Sequence, residues 1–138
     1  MTDFVLDNSV TMRWCFDSGT HAYAEGILER IASRRCVAIV PVLWRYEVSA
    51  VIARAEMRGW LTGAKAADFL NRLDALEIQV DAESSERVLT DVHRIALQYR
   101  LTSYDAAYLE VAQRCGLPLA TLDAELRTAC ASSGVPLL

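Results

Sequence analysis

The chain has 138 residues, 53% of them hydrophobic, which suits one well-filled core and leaves no room for two, so residues 1–138 are expected to form a single domain. No apolar run approaches the roughly 20 residues that cross a bilayer, and the start Met1-Thr2-Asp3-Phe4 has no basic region ahead of a long apolar stretch, so no membrane association and a cytoplasmic location are expected. The formal charge of −4, from 18 acidic and 14 basic residues, argues against a protein that grips nucleic acid by charge alone.

In chain order, Phe4-Val5-Leu6 is a short apolar run that ends abruptly at Asp7, as a buried strand does. A polar break at Asn8-Ser9 precedes a helical stretch of indefinite extent near Gly19. His21 to Ser33 carries Ala24, Ile27, Leu28 and Ile31 on one helical face. Val37 to Val40 is a second buried strand closed by Pro41, and Val42 to Arg58 a long helix that stops at Gly59. Thr62 caps a helix to about Leu76, with Ala66, Phe69, Leu70 and Leu73 inward. Ile78-Gln79-Val80 is a third strand. Ser85 to Tyr99 reads as one helix, with Val88, Val92, Ile95 and Ala96 in register. Thr102-Ser103-Tyr104-Asp105 opens another, closed by Gly116. Leu117 to Thr121 is a fourth strand, Asp123 leads into a helix to Ala131, and Pro136-Leu137-Leu138 adds a possible edge strand. Strands alternating with helices make an α/β domain with a mostly parallel sheet of four or five strands.

Cys15, Cys36, Cys115 and Cys130 show no zinc-like spacing and are expected to be reduced interior thiols. His21 and His93 stand alone, which weighs against Ser-His or Cys-His catalysis.

Ligands of an open parallel sheet bind beyond the carboxyl ends of its strands, and four acids fall at that edge: Asp7, Glu47, Asp105 and Asp123. Three have an ordinary structural explanation. Asp7 and Asp123 suit helix N-caps, and Asp105 completes Thr102-x-x-Asp105, a capping-box pattern. Glu47 suits its bland reading less well, because Val48, Val51, Ile52 and Ala55 share its side of the helix. Asp105 likewise has Leu109 and Ala112 at i+4 and i+7. Acids that lean inward together must take up protons or share a cation. Oxygen-only ligands select a hard ion such as Mg²⁺ or Mn²⁺.

The segments Phe4-Val5-Leu6-Asp7-Asn8-Ser9, Glu47-Val48, Ser103-Tyr104-Asp105-Ala106-Ala107-Tyr108-Leu109 and Thr121-Leu122-Asp123 resemble, in order and spacing, those of PIN domains, most closely VapC-type toxins of type II toxin–antitoxin pairs. The resemblance covers essentially the whole chain. It implies a three-layer α/β/α fold and an Mg²⁺- or Mn²⁺-dependent endoribonuclease in which Asp7, Glu47 and Asp105 are core metal ligands. Asp123 would complete the site directly or through water, and Ser9 and Thr121 match hydroxyl positions that support the acids. For these two, a turn or strand-end hydroxyl bonded to backbone is an equal alternative. The resemblance further implies an RNA substrate cut to a 5′-phosphate and a 3′-hydroxyl, a homodimer, and a VapB-like antitoxin through which alone DNA would be met.

Arg13, Arg45, Arg54 and Arg58 are candidate phosphate contacts, and Trp14, Trp44, Trp60 and Tyr104 candidate stacking surfaces. For each of these, a solvated helix face or a packed interior is the more ordinary role. A haloacid-dehalogenase phosphatase needs a second aspartate where Ser9 stands, and a response-regulator receiver needs a late lysine, whereas Lys65 is mid-chain. The remaining alternative is a catalytically silent PIN-like module that binds RNA or protein.

Overall fold

The computed structural model describes residues 2–16 and 21–138. Its centre is a four-stranded, all-parallel sheet ordered β3-β2-β1-β4, formed by β1 (Phe4–Leu6), β2 (Ala38–Val40), β3 (Ile78–Val80) and β4 (Leu119–Ala120). Phe4, Val5 and Leu6 are all 0% exposed. Successive strand residues point to opposite faces, so both faces of β1 are covered by helices, as a parallel sheet requires. The candidate edge strand at Pro136–Leu138 is reduced to a parallel bridge between Leu119 and Leu137.

Among the described residues, seven α-helices connect and flank the strands: α1 (Asn8–Phe16), α2 (Ala22–Ala32), α3 (Val42–Met57), α4 (Gly63–Asp74), α5 (His93–Tyr99), α6 (Ser103–Cys115) and α7 (Ala124–Ser133). The capping expected at Thr62 is present, its hydroxyl accepting the Lys65 N–H at 3.2 Å. Gly116 ends α6 in the left-handed region at φ 65°, where its N–H reaches back to Ala112 and Gln113.

Four sequence expectations are corrected. Asn8-Ser9 is no break: α1 begins at Asn8, directly after Asp7, since both residues suit a first helical turn. The extent of that helix near Gly19 lies outside the described residues. Ser85 to Tyr99 is not one helix but a 3₁₀ turn (Ser84–Arg87), a π turn (Val88–Val92) and α5. The wider π turn rotates the register, so Val92 and Ile95 are buried while Val88 is exposed. Leu70 is likewise exposed on α4, and Cys115 is exposed where an interior thiol was expected. All four cysteines are free.

One ionic cluster fixes α6. Arg114, mostly buried, donates to Glu110 Oε1 at 2.7 Å, to Asp81 Oδ2 at 2.6 Å and to Glu83 Oε2 at 3.0 Å. Asp81 and Glu83 lie in the segment that leaves β3, so this guanidinium ties α6 to the sheet's far side. Among the described residues no helix is long and apolar enough to cross a membrane.

Candidate active site

The strand order places a topological switch at β1. The chain steps outward from β1 to β2 and β3, then returns to the opposite side of β1 as β4. Segments leaving β1 and β4 therefore diverge and open a crevice at their carboxyl ends. Asp7 and Thr121 stand on its two sides.

Asp7 is held by main chain and side chain alike. Its N–H donates to Ala120 O at 3.0 Å, and its carbonyl accepts the Val10 N–H at 3.1 Å, opening α1. The carboxylate, 5% exposed, accepts the Ser9 hydroxyl at 2.6 Å and the Thr121 hydroxyl at 2.7 Å, both on Oδ2. In turn Ser9 Oγ accepts the Leu122 N–H at 2.9 Å and Thr121 Oγ1 the Asp123 N–H at 3.0 Å. Each hydroxyl has one proton, spent on Asp7, so their mutual 3.3 Å contact is proximity and not a further bond. Two hydroxyls thus lock the Asp7 rotamer and splice the β1 exit to the β4 exit. Arg127 Nη1 holds the same splice from outside, donating to Thr121 O at 2.9 Å.

Glu47, half-buried on α3, accepts the hydroxyl of Tyr108 on Oε1. Tyr108 is 0% exposed and lies on α6, three residues after Asp105. Asp105 sits in the first turn of α6, where its N–H donates to Thr102 Oγ1 at 3.1 Å. That is half of the expected capping box, and the Thr102 hydroxyl also lies near the Asp105 carboxylate, whose pKa it lowers. Asp123 does cap its helix, Oδ1 accepting the Leu126 N–H at 2.9 Å.

Electrostatics connect these acids. Burial pushes the Asp7 carboxyl up, opposed by the Ser9 and Thr121 hydroxyls and reinforced by the charge of Asp123. Glu47 is raised by burial and by Asp7 and Asp105, against the Tyr108 bond. Asp105 is pushed up to about 6 by burial, then by Asp123, Asp7 and Glu125. Acids that raise one another in this way share one region and disfavour their joint ionisation. The donors there are carboxylate oxygens, a set that suits Mg²⁺ or Mn²⁺ in chemistry. Among the described residues, no three acidic, His or Cys side chains are already gathered into a metal-holding group.

The structure also locates two groups that the sequence did not single out. Glu125, two residues after Asp123, adds a fifth negative charge facing Asp105. Tyr108 was visible only as a polar-tipped residue on an apolar helix face, and such a tip needs a buried partner. The candidate aromatics divide. Trp44 is buried and donates its indole N–H to Thr11 at 3.0 Å, and Trp14 donates to Ala24 O at 2.8 Å, so both are structural. Trp60 is exposed with the Arg58 guanidinium 5.0 Å from its ring. Tyr104 is exposed, as is Tyr46 beside Glu47, while Arg13, Arg45, Arg54 and Arg58 are all exposed. A 440 Å³ groove between α3 and α4 is lined by none of the four acids.

The PIN-domain family model matches residues 4–131, a span that holds every one of these groups. The chain belongs to the PIN-domain family. Within it, the chain is 35% identical over 81 residues to Ribonuclease VapC3 of Pyrobaculum aerophilum, a match covering 59% of this chain and 62% of that protein. The chain thus spans less than two thirds of that relative's length. The fold is shared with a solved Pyrobaculum aerophilum structure at TM-score 0.67 and 23% identity, covering 93% of this chain and 84% of that one. It is also shared with VapBC2 of Rickettsia felis, solved bound to a DNA fragment from their promoter, at TM-score 0.69 and 10% identity, covering 100% and 98%.

Proposed function

We propose that this PIN domain is a metal-dependent endoribonuclease of the VapC type, with residues 1–138 acting as one domain. The observation that carries the reading is that Asp7, Glu47 and Asp105 are raised first by burial and then by charges drawn from Asp7, Asp105 and Asp123, so these carboxylates lie within one another's fields near the switch crevice. Asp7, Glu47 and Asp105 would hold Mg²⁺ or Mn²⁺, and Asp123 would complete the site directly or through water. When bound, such an ion supplies a water of lowered pKa and neutralises charge on the leaving oxygen.

The chain's own groups supply the rest. Ser9 and Thr121 keep the Asp7 carboxylate in one orientation and spare Oδ1 from side-chain donors. Exposed arginines such as Arg45 would neutralise RNA phosphates, and the exposed Tyr46 and Tyr104 rings would stack on bases. The VapC likeness and the VapBC2 neighbour support a VapB-like antitoxin as partner; a homodimer and cytoplasmic action belong to the same VapC-type reading.

A silent PIN-like binding module is the second reading, favoured by the absence of a ready-made cluster of three metal-holding side chains among the described residues. Incubation of RNA with the purified protein separates the two. Cleavage is expected with Mg²⁺ or Mn²⁺ and none with EDTA, and Asp7→Asn is expected to abolish it in a folded protein. Full activity in EDTA or in Asp7→Asn would falsify the metal-site reading, and no cleavage under any condition would favour the silent module.

A further inference from the structure

Tyr108 is fully buried, and its hydroxyl lies where three segments meet. It donates to Glu47 Oε1 on α3, and it lies near the main chain of Asn8, next to Asp7. Its own helix carries Asp105 one turn earlier. The ring is 0% exposed among the buried apolar residues of the core, an environment that a phenylalanine ring suits as well. What the hydroxyl adds is therefore polar and directed at the Glu47 carboxylate.

We infer that Tyr108 is a positioning residue of the proposed metal centre. It occupies Glu47 Oε1, leaves Oε2 as the oxygen Glu47 offers a divalent cation, and couples the place of Glu47 to the helix that carries Asp105. The inference rests on the metal-dependent reading above. Asp7 is treated in the same way, because Ser9 and Thr121 both donate to its Oδ2 and leave Oδ1 without a side-chain donor. Each of these carboxylates thus has one oxygen held by protein hydroxyls and one without a side-chain donor, with the Ser9 main chain also bonded to the Asp7 carboxylate. Partners that orient metal ligands typically carry a 10–100-fold share of metal affinity.

The test is calorimetric titration of the full chain with Mn²⁺, for wild type, Tyr108→Phe, Glu47→Gln and the double variant. Circular dichroism and metal-free melting establish that each is folded. Tyr108→Phe is expected to weaken Mn²⁺ binding roughly 10–100-fold. In the Glu47→Gln background the same change is expected to alter affinity less than about 2-fold, because its effect passes through that carboxylate. Equal affinity in wild type and Tyr108→Phe overturns the inference and leaves the metal reading standing. An equal loss in both backgrounds overturns it as well, making Tyr108 a packing residue. A wild type that takes up no Mn²⁺ overturns both readings. A fluorotyrosine at position 108 tests the contact with the hydroxyl retained: its fluorine resonance is expected to move with Mg²⁺ at the wild-type affinity. A resonance that stays fixed overturns the inference.

Discussion

Asp105 illustrates how a site acid works against the fold that holds it. Its carboxyl is pushed up to about 6 from an unfolded value of 3.8, first by burial and then by Asp123, Asp7 and Glu125. The folded chain binds this proton more tightly than the unfolded one. Its contribution to stability is therefore full below about pH 4 and lost as pH rises through about 6. Asp105→Asn removes the charge and keeps the shape, so its metal-free melting temperature is expected to exceed that of wild type by a few degrees at pH 8. The difference should vanish at pH 4. A variant that melts lower than wild type at pH 8 would contradict this account. Thr121 predicts the opposite sign. It is 0% exposed, donates to Asp7 and accepts from the Asp123 N–H. Thr121→Val keeps the volume, takes one of two hydroxyl donors from Asp7 and strands the Asp123 N–H, and is expected to cost about 2 kcal/mol by urea denaturation.

At the scale of elements, the legible parts were those whose cause is local. The strand at Phe4–Leu6, the Thr62 cap and the glycine stop at Gly116 follow from residues within one turn of each other. The segment from Ser84 to Tyr99 was not legible, because its apolar spacing fits a single helix and the π turn is fixed by contacts with α6 instead. The Arg114 cluster was equally hidden, since Asp81, Glu83, Glu110 and Arg114 are brought together only by the packing of α6 against the β3 exit. Glu110 is 3% exposed, and removing Arg114 leaves this buried charge with only the longer 3.8 Å contact to Arg87. Arg114→Met is expected to cost about 3 kcal/mol, at the low end for such a loss because Glu83 reaches solvent and Arg87 stays near Glu110. The melting temperature should fall by roughly 10 °C. A fall of under about 2 °C would mean that the cluster is a surface network of little weight.

At the scale of the whole molecule, the strand order decides what the acids mean. Alternating strands and helices identify a parallel α/β domain from sequence, but not that β4 returns beside β1. That return makes neighbours of Asp7 and Thr121, 114 residues apart, and carries Asp123 to the same crevice. Without it, Asp7 and Asp123 are two unconnected helix starts, which is why the sequence placed them at one sheet edge without making them neighbours. The same geometry sets the response of the molecule to metal. Several carboxylates raised by burial and mutual charge lower stability at neutral pH, and a cation that binds only the folded form reverses this by mass action. At a concentration of 100 times its dissociation constant the gain is about 2.7 kcal/mol, or roughly 8–10 °C for a chain of this length. Melting with Mn²⁺ is therefore expected to rise by this amount in wild type, to return to the metal-free value with EDTA, and to be flat in Asp7→Asn. An equal rise in Asp7→Asn would place the ion elsewhere on the surface. No rise in wild type would mean that the crevice holds its acids as protonated groups and not as ligands.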